Sequence, residues 1–470
     1  MHHRLSGQGV GTRWRLGLLL ALSVMATSGA GAESMFRAGA AAVDITPHEF
    51  PLNMPGGFSA NHAHSAHDPL HSRAIVMDDG KHSVAIAVVD NLGVAPEVIE
   101  QACQVAMEKT GIPLERMLVS ATHTHSAPAS NSSRTDGPEA AYHRHFVAGI
   151  ADSIIQAYAS LQPARAGGAF QPLPEEVFNR RWHLKPGKMP TNPFGELDQV
   201  KMNPGTNPAV LDRPAGPVDP DITILSLQNH RGRPLALLAN YSLHYVGGTP
   251  RGQVSADYFG EFARLMPARL RASEDFVAIM SNGTSGDINN IPFLVDRAPR
   301  EPFEQIRIVA SKAADAAWVA HRKIDAHRSD VQLDSRHRKI ELRYRRPTDA
   351  QVIAAKAVLA IEDPGQIERL PRLAQHYARN VVRFAERKEE TLEIHLQTFQ
   401  VGDLAICAIP FETFAEIGLE LKDRSPYPDT MVIGLAGGRH GYLPTPEQHR
   451  LGGYETFGYA TGVSHIRRGV

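Results

Sequence analysis

The sequence predicts an α/β protein whose core is a mixed β-sheet flanked by helices. Apolar, strand-like runs alternate along the chain with segments of helical periodicity, which is the pattern of a sheet covered by helices. The segment "HLQTFQVGDLAICAI" predicts a hairpin that turns at Gly402 and Asp403, so part of the sheet is antiparallel. Several apolar runs also end in polar residues, which places a candidate site at the strand ends.

The individual elements follow from the same patterns. Strands are predicted over residues 74–78, 83–90, 117–122, 222–228, 235–241, 276–280, 391–400, 403–408 and 431–435. Helices are predicted over residues 96–109, 138–160, 256–271, 303–321, 348–387 with a break at "EDPGQ", and 412–422. Residues 175–220 are rich in Pro, Gly and Asn and have no period, which is typical of a lid or a binding loop. The charged region 346–390 is either a solvated helical appendage or part of the core.

The first residues have the features of a secretory signal peptide. Arg4, Arg13 and Arg15 precede the apolar stretch 16–25, and Ala30-Gly31-Ala32 resembles a cleavage site. The interpretation is a signal peptide over residues 1–32 and a catalytic domain over residues 33–470. No later window offers the roughly 20 apolar residues that a transmembrane helix needs. We therefore expect an exported protein, secreted or periplasmic.

Composition excludes some partners. The chain has 49 Lys and Arg against 50 Asp and Glu, and removal of the signal peptide takes away three arginines and no acids, which leaves 46 − 50 = −4. No basic field is available to bind nucleic acid. Contact with a membrane surface would be transient, and the oligomeric state is not predicted.

The two cysteines, Cys103 and Cys407, lie far apart and form either one disulfide or two free thiols.

Histidine is the unusual residue, with 23 in the chain. In "MLVSATHTHSAPAS", residues 117–130, an apolar run ends in a His-x-His pair. On a strand, His123 and His125 would face the same side, as the ligands of one metal ion must. The alternative is a surface or hydrogen-bonded pair. The segment "NHAHSAHDPLH" (61–71) is either a second metal site or a loop at the mouth of a cleft.

Three further strand ends add candidate ligands. His244 follows the apolar run "LALLANYSL", Glu412 follows "AICAIPF", and Tyr442 lies beyond "VIGLAGG". Each has an ordinary alternative, such as a first-turn helix carboxylate for Glu412 or a core tyrosine for Tyr442. Their recurrence at strand ends in one chain favours a shared site.

The order of several motifs resembles the amino-terminal domain of the neutral, non-lysosomal ceramidases. The motifs are "DITP" (44–47), "ATHTHS" (121–126), "NRRW" (179–182), "NYSLH" (240–244), "VSADYFG" (254–260), "NGTSGDINN" (282–290), "IPFET" (409–413) and "GYLPT…GGYE" (441–455). The resemblance implies a zinc-dependent amidase that cleaves the N-acyl bond of ceramide, with Zn²⁺ bound by His123, His244, Glu412 and Tyr442. It also implies catalytic or substrate-binding roles for His125, Arg180 and Tyr454.

The chemistry of this residue set agrees with that implication. Two imidazoles and a carboxylate are a common catalytic zinc set, and zinc lowers the pKa of bound water to about 7, which makes a nucleophile available at neutral pH. His125 is favoured as a general acid or base, with a structural hydrogen bond as the alternative. Arg180 is either an oxyanion donor or a solvated loop residue. Tyr442 would be the unusual ligand, because a free phenol has a pKa of about 10.

The sequence departs from the family pattern at three places. Asn289 stands where the ceramidases have a serine after Gly-Asp, and an amide is not a nucleophile, so we expect Asn289 or nearby amides to assist the oxyanion. Tyr245 follows His244 where the family has proline. We also expect no C-terminal β-sandwich domain. The substrate is therefore ceramide or a related lipid amide, with a different N-acyl amide or ester, or non-catalytic lipid binding, as alternatives.

Overall fold

A computed structural model describes residues 36–457 and the backbone of a short strand at 466–467. The strands are β1 (Arg37–Asp44), β2 (Leu52–Asn53), β3 (His62–Ala63), β4 (Ser65–Ala66), β5 (His71–Asp78), β6 (Ser83–Val89), β7 (Met117–Ala121), β8 (Gln162–Pro172), β9 (Phe178–Asn179), β10 (Arg181–Leu184), β11 (Lys201–Met202), β12 (Leu211–Pro214), β13 (Asp221–Asn229), β14 (Pro234–Tyr241), β15 (Gln253–Val254), β16 (Val277–Asn282), β17 (Ile288–Asn289), β18 (Leu333–Tyr344), β19 (Thr391–Val401), β20 (Leu404–Ala408), β21 (Glu412–Thr413), β22 (Asp429–Ile433), β23 (Tyr442–Leu443) and β24 (Ile466–Arg467). The predicted signal peptide lies outside the described residues.

The α-helices lie between these strands and are α1 (Pro96–Thr110), α2 (Gly137–Ala159), α3 (Asp257–Leu270), α4 (Glu304–Arg322), α5 (Asp349–Leu359), α6 (Pro364–Arg369), α7 (Ala374–Ala385), α8 (Ala415–Arg424) and α9 (Pro446–Leu451). Local chemistry sets several of their ends. A capping box of Thr348 and Gln351 begins α5, and Gly111, with a φ of 74°, ends α1. None of the helices in residues 36–457 combines the length and the apolar character needed to cross a bilayer.

Two mixed sheets form the centre of the molecule. The larger has eight strands in the order β16-β14-β13-β8-β1-β5-β6-β7, and the smaller has five in the order β22-β20-β19-β18-β24. In each sheet parallel pairs lie beside antiparallel ones, for example β6 with β7 and β5 with β6. The mixed α/β architecture predicted from the sequence is confirmed.

Apolar side chains fill the space between the two sheets and the space beneath the helices. One cluster joins Ile86 and Leu225 of the larger sheet to Phe399 and Ile406 of the smaller one. Separate clusters join the other face of the larger sheet to helices α1 and α2, and to α3 and α4. Because β5 and β6 are covered on both faces, nearly every residue in them is buried, and their central residues, 74–77 and 84–89, form continuous apolar runs.

Most predicted elements match the structure, and the exceptions have physical causes. The hairpin is confirmed, since Val401 pairs with Leu404 across Gly402-Asp403. The helix predicted over 412–422 begins at Ala415, because Glu412 and Thr413 form β21. Residues 175–220, expected to be a loop, contain the short strands β9 to β12. Strands β1, β8 and β18 were missed, because the first two are rich in Ala and Gly and β18 in charged residues.

The region 346–390 forms helices α5 to α7 between β18 and β19. These helices share a small apolar cluster of their own, which includes Ala355, Tyr377 and Val381. The two cysteines are both free thiols, with Cys103 buried on α1 and Cys407 half-buried on β20, so the disulfide alternative is wrong.

Candidate metal centre

Three imidazole rings converge just beyond the ends of two strands of the larger sheet. His123 and His125 follow β7, and His244 follows β14. The Nε2 atom of His123 lies 3.0 Å from Nε2 of His244 and 3.2 Å from Nε2 of His125. Within the part of the chain that the structure describes, this is the one group of His, Cys, Asp or Glu side chains close enough together to hold a metal ion.

The hydrogen bonds of the three rings determine which nitrogen is free. Each Nδ1 atom lies close to a backbone carbonyl oxygen. The pairs are His123 with Leu92 at 2.6 Å, His125 with Gly56 at 2.7 Å and His244 with Ser285 at 2.9 Å. A carbonyl oxygen only accepts, so each Nδ1 must carry the proton and each Nε2 presents a lone pair. Facing lone pairs at about 3 Å repel one another unless a cation or an added proton lies between them. The cluster is therefore arranged to bind a metal ion.

Glu412 adds a fourth ligand atom. Its Oε2 lies 3.3 Å from Nε2 of His123 and 3.9 Å from Nε2 of His244. This oxygen is buried and, within the described residues, has no hydrogen-bond partner of good geometry. Tetrahedral ligands at about 2.1 Å from one zinc ion are about 3.4 Å apart, close to the spacings of the His123, His244 and Glu412 atoms.

The charge states of these groups suit a cation. Burial lowers the pKa of His125 and His244 well below the usual value, and the neighbouring His123 lowers both further. Burial alone would raise the pKa of Glu412, but the charges that His123 and His244 carry when protonated outweigh it and keep that pKa below its usual range. At neutral pH the imidazoles of His125 and His244 are therefore neutral and Glu412 is ionised, the forms that bind metals.

The His-x-His pair converges for a different reason from the one that the sequence suggested. The strand β7 ends at Ala121, and His123 has a φ of 73°, so the two histidines do not alternate along a strand. The left-handed backbone turns the chain at His123 and brings its ring against that of His125. Positive φ is costly for a side chain of this size, and such strain is typical of functional sites.

Tyr442 and Arg180 lie beside the imidazoles. The strands β21 and β23 are parallel neighbours, and Tyr442 pairs directly with Glu412. The guanidinium carbon of Arg180 lies 5.3 Å from the centre of the Tyr442 ring, and its Nη1 lies 3.5 Å from Nε2 of His244. Burial raises the pKa of the Tyr442 phenol well above its usual value, so the free phenol stays neutral.

Arg180 is buried and not a solvated loop residue, so that alternative is wrong. Only 4% of Arg180 is exposed, and its Nη2 is buried without a hydrogen-bond partner. Burial alone would lower the pKa of Arg180, but Tyr442, Glu455 and Glu412 raise it above its usual value. The guanidinium is permanently charged and has an unused donor.

A second buried cluster supports Arg180 from behind. Glu455 accepts from Nε of Arg180 at 2.9 Å and from Nη1 of Arg181 at 2.6 Å, and all three side chains are buried. Arg181 also donates from Nε to Gln448 and from Nη2 to the carbonyl oxygen of Gly452. No role was predicted for Glu455 from the sequence, although this residue stands in "GGYE" beside Tyr454. Its position next to a candidate site tyrosine was the available signal.

Two cavities meet beside the cluster. One, of about 500 Å³, is lined by His123, His125, Glu412 and Tyr442. The other, of about 360 Å³, lies among residues 189–203 and 372–377. Four side chains line both and form the wall between them: Phe58, Leu373, Tyr377 and Tyr454. Tyr454 thus reaches the site as a cavity residue, and the residues of the 346–390 region at the wall were not predicted from the sequence.

Asn289 is not brought into the imidazole cluster. Its amide nitrogen donates to Oδ1 of Asn203 at 2.5 Å, and its oxygen accepts from the backbone N–H of Ile291. Asn203 lines the second cavity, so Asn289 supports the wall of that cavity. Its assistance to an oxyanion stays a prediction.

The histidines of "NHAHSAHDPLH" lie apart from one another in contacts of their own. His67 stacks on Phe303 with ring centres 3.6 Å apart, and Nδ1 of His71 lies 3.2 Å from Nη2 of Arg73. Within residues 36–457 these histidines belong to no cluster that could hold a metal ion.

The fold and the imidazole cluster together define an α/β protein with a buried site for a metal ion. The chain belongs to the neutral/alkaline non-lysosomal ceramidase family, because the sequence profile of that family's N-terminal region matches residues 36–294, more than half of the chain. The predicted resemblance is confirmed.

Relatives and solved structures agree with this assignment. The chain is 25% identical over 277 residues to neutral ceramidase A of Dictyostelium discoideum, a match that covers 55% of this chain and 36% of the relative. The match thus spans about a third of that relative's length. The crystal structure of neutral ceramidase from Pseudomonas aeruginosa has the same fold, with a TM-score of 0.66 at 17% identity over 90% of this chain and 71% of the other. A ceramidase complexed with C2 gives a TM-score of 0.66 at 16% identity, over 90% and 72% of the two chains.

Proposed function

We propose that this protein is an exported, zinc-dependent hydrolase that cleaves an N-acyl amide bond, with ceramide or a related lipid amide as substrate. The observation that carries the proposal is the convergence of Nε2 of His123, Nε2 of His244 and Oε2 of Glu412 with no donor among them. The family membership of residues 36–294 and the ceramidase fold support the reaction type.

In this proposal His123, His244 and Glu412 hold the zinc ion, and Tyr442 lies beside them as a further ligand. When bound, zinc would act as a Lewis acid and would lower the pKa of a water molecule bound to it to about 7. The backbone carbonyls of Leu92 and Ser285 orient the two imidazoles through Nδ1. Such supporting hydrogen bonds fix the direction of the lone pairs before any ion binds.

Arg180 and His125 act on the substrate. The buried Nη2 of Arg180 has no partner within the described residues and donates to the oxygen that becomes negative as the amide carbonyl is attacked. His125 is the most exposed of the three imidazoles and lines the larger cavity, with Nδ1 held by Gly56. Its Nε2 takes a proton from the attacking water and returns it to the leaving amine.

The two cavities suit a substrate with two arms. An N-acyl amide extends in both directions from the bond that breaks, and the cavities of about 500 and 360 Å³ meet at the wall formed by Phe58, Leu373, Tyr377 and Tyr454. Sites of a few hundred Å³ with apolar walls are typical for ligands of this size. The second cavity also carries Lys201, Asn203 and Arg372, which favours a polar end on one arm. That observation supports the second candidate, an N-acyl amide that is not a sphingolipid.

A panel of fluorescent N-acyl amides tests the proposal. The panel contains ceramide, N-acyl amino acids and a short polar amide, assayed on the zinc-loaded protein and on the Arg180→Lys variant. We expect cleavage of at least one long-chain amide, and a loss of about 100-fold or more in kcat for the variant, because lysine lacks the fixed fork of donors. Zinc binding without turnover of any amide would contradict the proposal and favour a non-catalytic lipid-binding protein.

Export is tested separately, by the mass of protein recovered outside the cytoplasm. We expect a mature chain that begins near Glu33. A full-length chain retained inside the cell would contradict this part of the proposal.

A further inference from the structure

Tyr245 lies beside two imidazoles of the candidate metal centre, those of His125 and His244. It follows His244 directly, and its ring stacks on the ring of His125 with ring centres 3.6 Å apart and planes inclined by 17°. His125 follows β7 whereas Tyr245 follows β14, so this stack ties together the two segments that supply the imidazoles.

The loop that carries Tyr245 is held firmly. The backbone N–H groups of Val246 and Gly247 donate to the carboxylate of Asp257 at 3.0 and 2.9 Å. Gly247 has a φ of 79°, and a Cβ atom at that position would lie 3.1 Å from the Tyr245 ring. A glycine is thus required there, both for the turn and for the position of the ring. The aromatic ring is fixed by the fold before any ligand binds.

His125 needs such support more than its two neighbours do. His123 and His244 are each 1% exposed and are enclosed by the core, whereas His125 is half-buried and lines the cavity. The hydrogen bond from Nδ1 of His125 to the carbonyl oxygen of Gly56, at 2.7 Å, fixes one edge of the ring but leaves it free to tilt about that bond. A stacked aromatic ring removes the tilt.

We propose that Tyr245 is a positioning residue that holds the His125 ring so that Nε2 points into the metal-site cavity. The stacked face of the ring, and not the phenol hydroxyl, carries this role. Its effect on turnover rests on the proposed amide hydrolysis, whereas its effect on the His125 ring does not.

The first experiment measures the accessibility of the His125 ring directly and requires no substrate turnover. Metal-free protein is treated with diethyl pyrocarbonate, which modifies imidazole nitrogens that have a free lone pair, and the rate at His125 is followed by mass spectrometry of its peptide. In Tyr245→Leu the ring is released, and we expect modification roughly fivefold or more faster than in the wild type. In Tyr245→Phe the stack remains, and the rate is expected to be unchanged. Tyr158→Leu, at a half-buried tyrosine on α2, is the matched control.

The second experiment reads catalysis on whichever amide the wild type cleaves. For Tyr245→Leu we expect kcat to fall about tenfold or more with KM changed less than about threefold, because the proton-transferring group is misplaced while the cavity remains. Tyr245→Phe should restore wild-type kcat, and zinc should still bind one ion per chain in both variants. If Tyr245→Leu does not fold, Tyr245→Met replaces it, since the flexible thioether fills the space without a flat face.

Either of two results would overturn the proposal. One is an unchanged His125 modification rate in Tyr245→Leu or Tyr245→Met. The other is a Tyr245→Phe variant that is as defective as Tyr245→Leu, since that would assign the role to the hydroxyl. A wild type that cleaves no amide would refute the proposed function, and the modification rates would still decide the role of Tyr245.

Discussion

Two buried polar clusters lie side by side in this protein, and they are completed in different ways. In the arginine cluster, Glu455 pairs with both Arg180 and Arg181, and Arg181 finds further acceptors on Gln448 and Gly452. In the imidazole cluster, three Nε2 lone pairs and a carboxylate oxygen face one another without a donor. Buried charge is tolerated only when it is paired, so the first cluster is complete within the chain, whereas the second could hold an added cation.

The difference between the two clusters corresponds to a structural role for the arginine cluster and a binding role for the imidazole cluster. A complete ion cluster rigidifies its surroundings and points one spare donor, Nη2 of Arg180, at its neighbour. An incomplete cluster has unpaired ligand atoms, which provide favourable interactions for an ion and, once the ion is bound, for a substrate.

Removal of an imidazole should abolish function without unfolding the protein. His123→Ala deletes the ring whose Nε2 lies nearest to both other imidazoles, so we expect bound zinc to fall from one ion per chain to less than about a tenth, and amide hydrolysis to fall at least about 1000-fold. Metal analysis and initial rates measure the two effects. His230→Ala, at an exposed histidine between β13 and β14, is the control. Full activity in His123→Ala would place the catalytic centre elsewhere.

Substitution of the two glutamates, Glu455 and Glu412, should affect stability and zinc binding differently. Glu455→Gln leaves two buried arginines without a charged partner, so the free energy of unfolding should fall by about 3–5 kcal/mol in urea titrations. Glu412→Gln removes a carboxylate whose pKa the fold lowers, so the metal-free protein should also lose stability, but this variant should lose zinc binding whereas Glu455→Gln should keep it. Loss of zinc binding in both variants, or in neither, would remove the distinction between the clusters.

A third buried carboxylate, Asp257, extends the comparison to pH. Burial raises its pKa to about 6 although three backbone N–H groups donate to it. The folded state therefore binds a proton more tightly than the unfolded state, whose aspartate pKa is about 3.9. The free energy of unfolding should accordingly decrease as pH rises from about 4 to about 6, by up to about 3 kcal/mol for this group. The Asp257→Asn variant should show a smaller decrease.

Asp287 provides an internal check on this result, because burial also raises its pKa to about 6. We expect Asp287→Asn to reduce the same pH dependence, and the double variant to reduce it further. Chemical denaturation at several pH values measures both. An unchanged slope in Asp257→Asn would show that this carboxylate titrates at its ordinary value.

The sequence predicts the fold well where the physics is local. Long apolar runs gave the buried strands, and the Gly402-Asp403 turn gave the hairpin. Strand β18 was missed because its alternate residues are charged and exposed. Residues 412–413 were assigned to a helix because their pairing with β23 involves residues 30 positions away. The local periodicity of a sequence does not predict which distant segments pair with one another.

The candidate site shows the same limit. Strand-end histidines and the resemblance to a family brought His123, His125 and His244 forward, and the structure places them together. The pairing of Glu455 with two arginines, and the stack of Tyr245 on His125, join residues more than 100 positions apart. Neither has a spacing that a sequence could reveal, because both depend on how the strand ends meet.

A calorimetric titration of the metal-free protein with Zn²⁺ at neutral pH, alongside His123→Ala and Glu455→Gln, measures whether the imidazole cluster binds a metal ion. We expect one zinc ion per chain in the wild type and no binding in His123→Ala. The folded fraction of Glu455→Gln should still bind one ion, since the arginine cluster holds none. A wild-type protein that takes up no zinc, or a His123→Ala variant that binds it equally well, would contradict the assignment of the imidazole cluster as the metal centre.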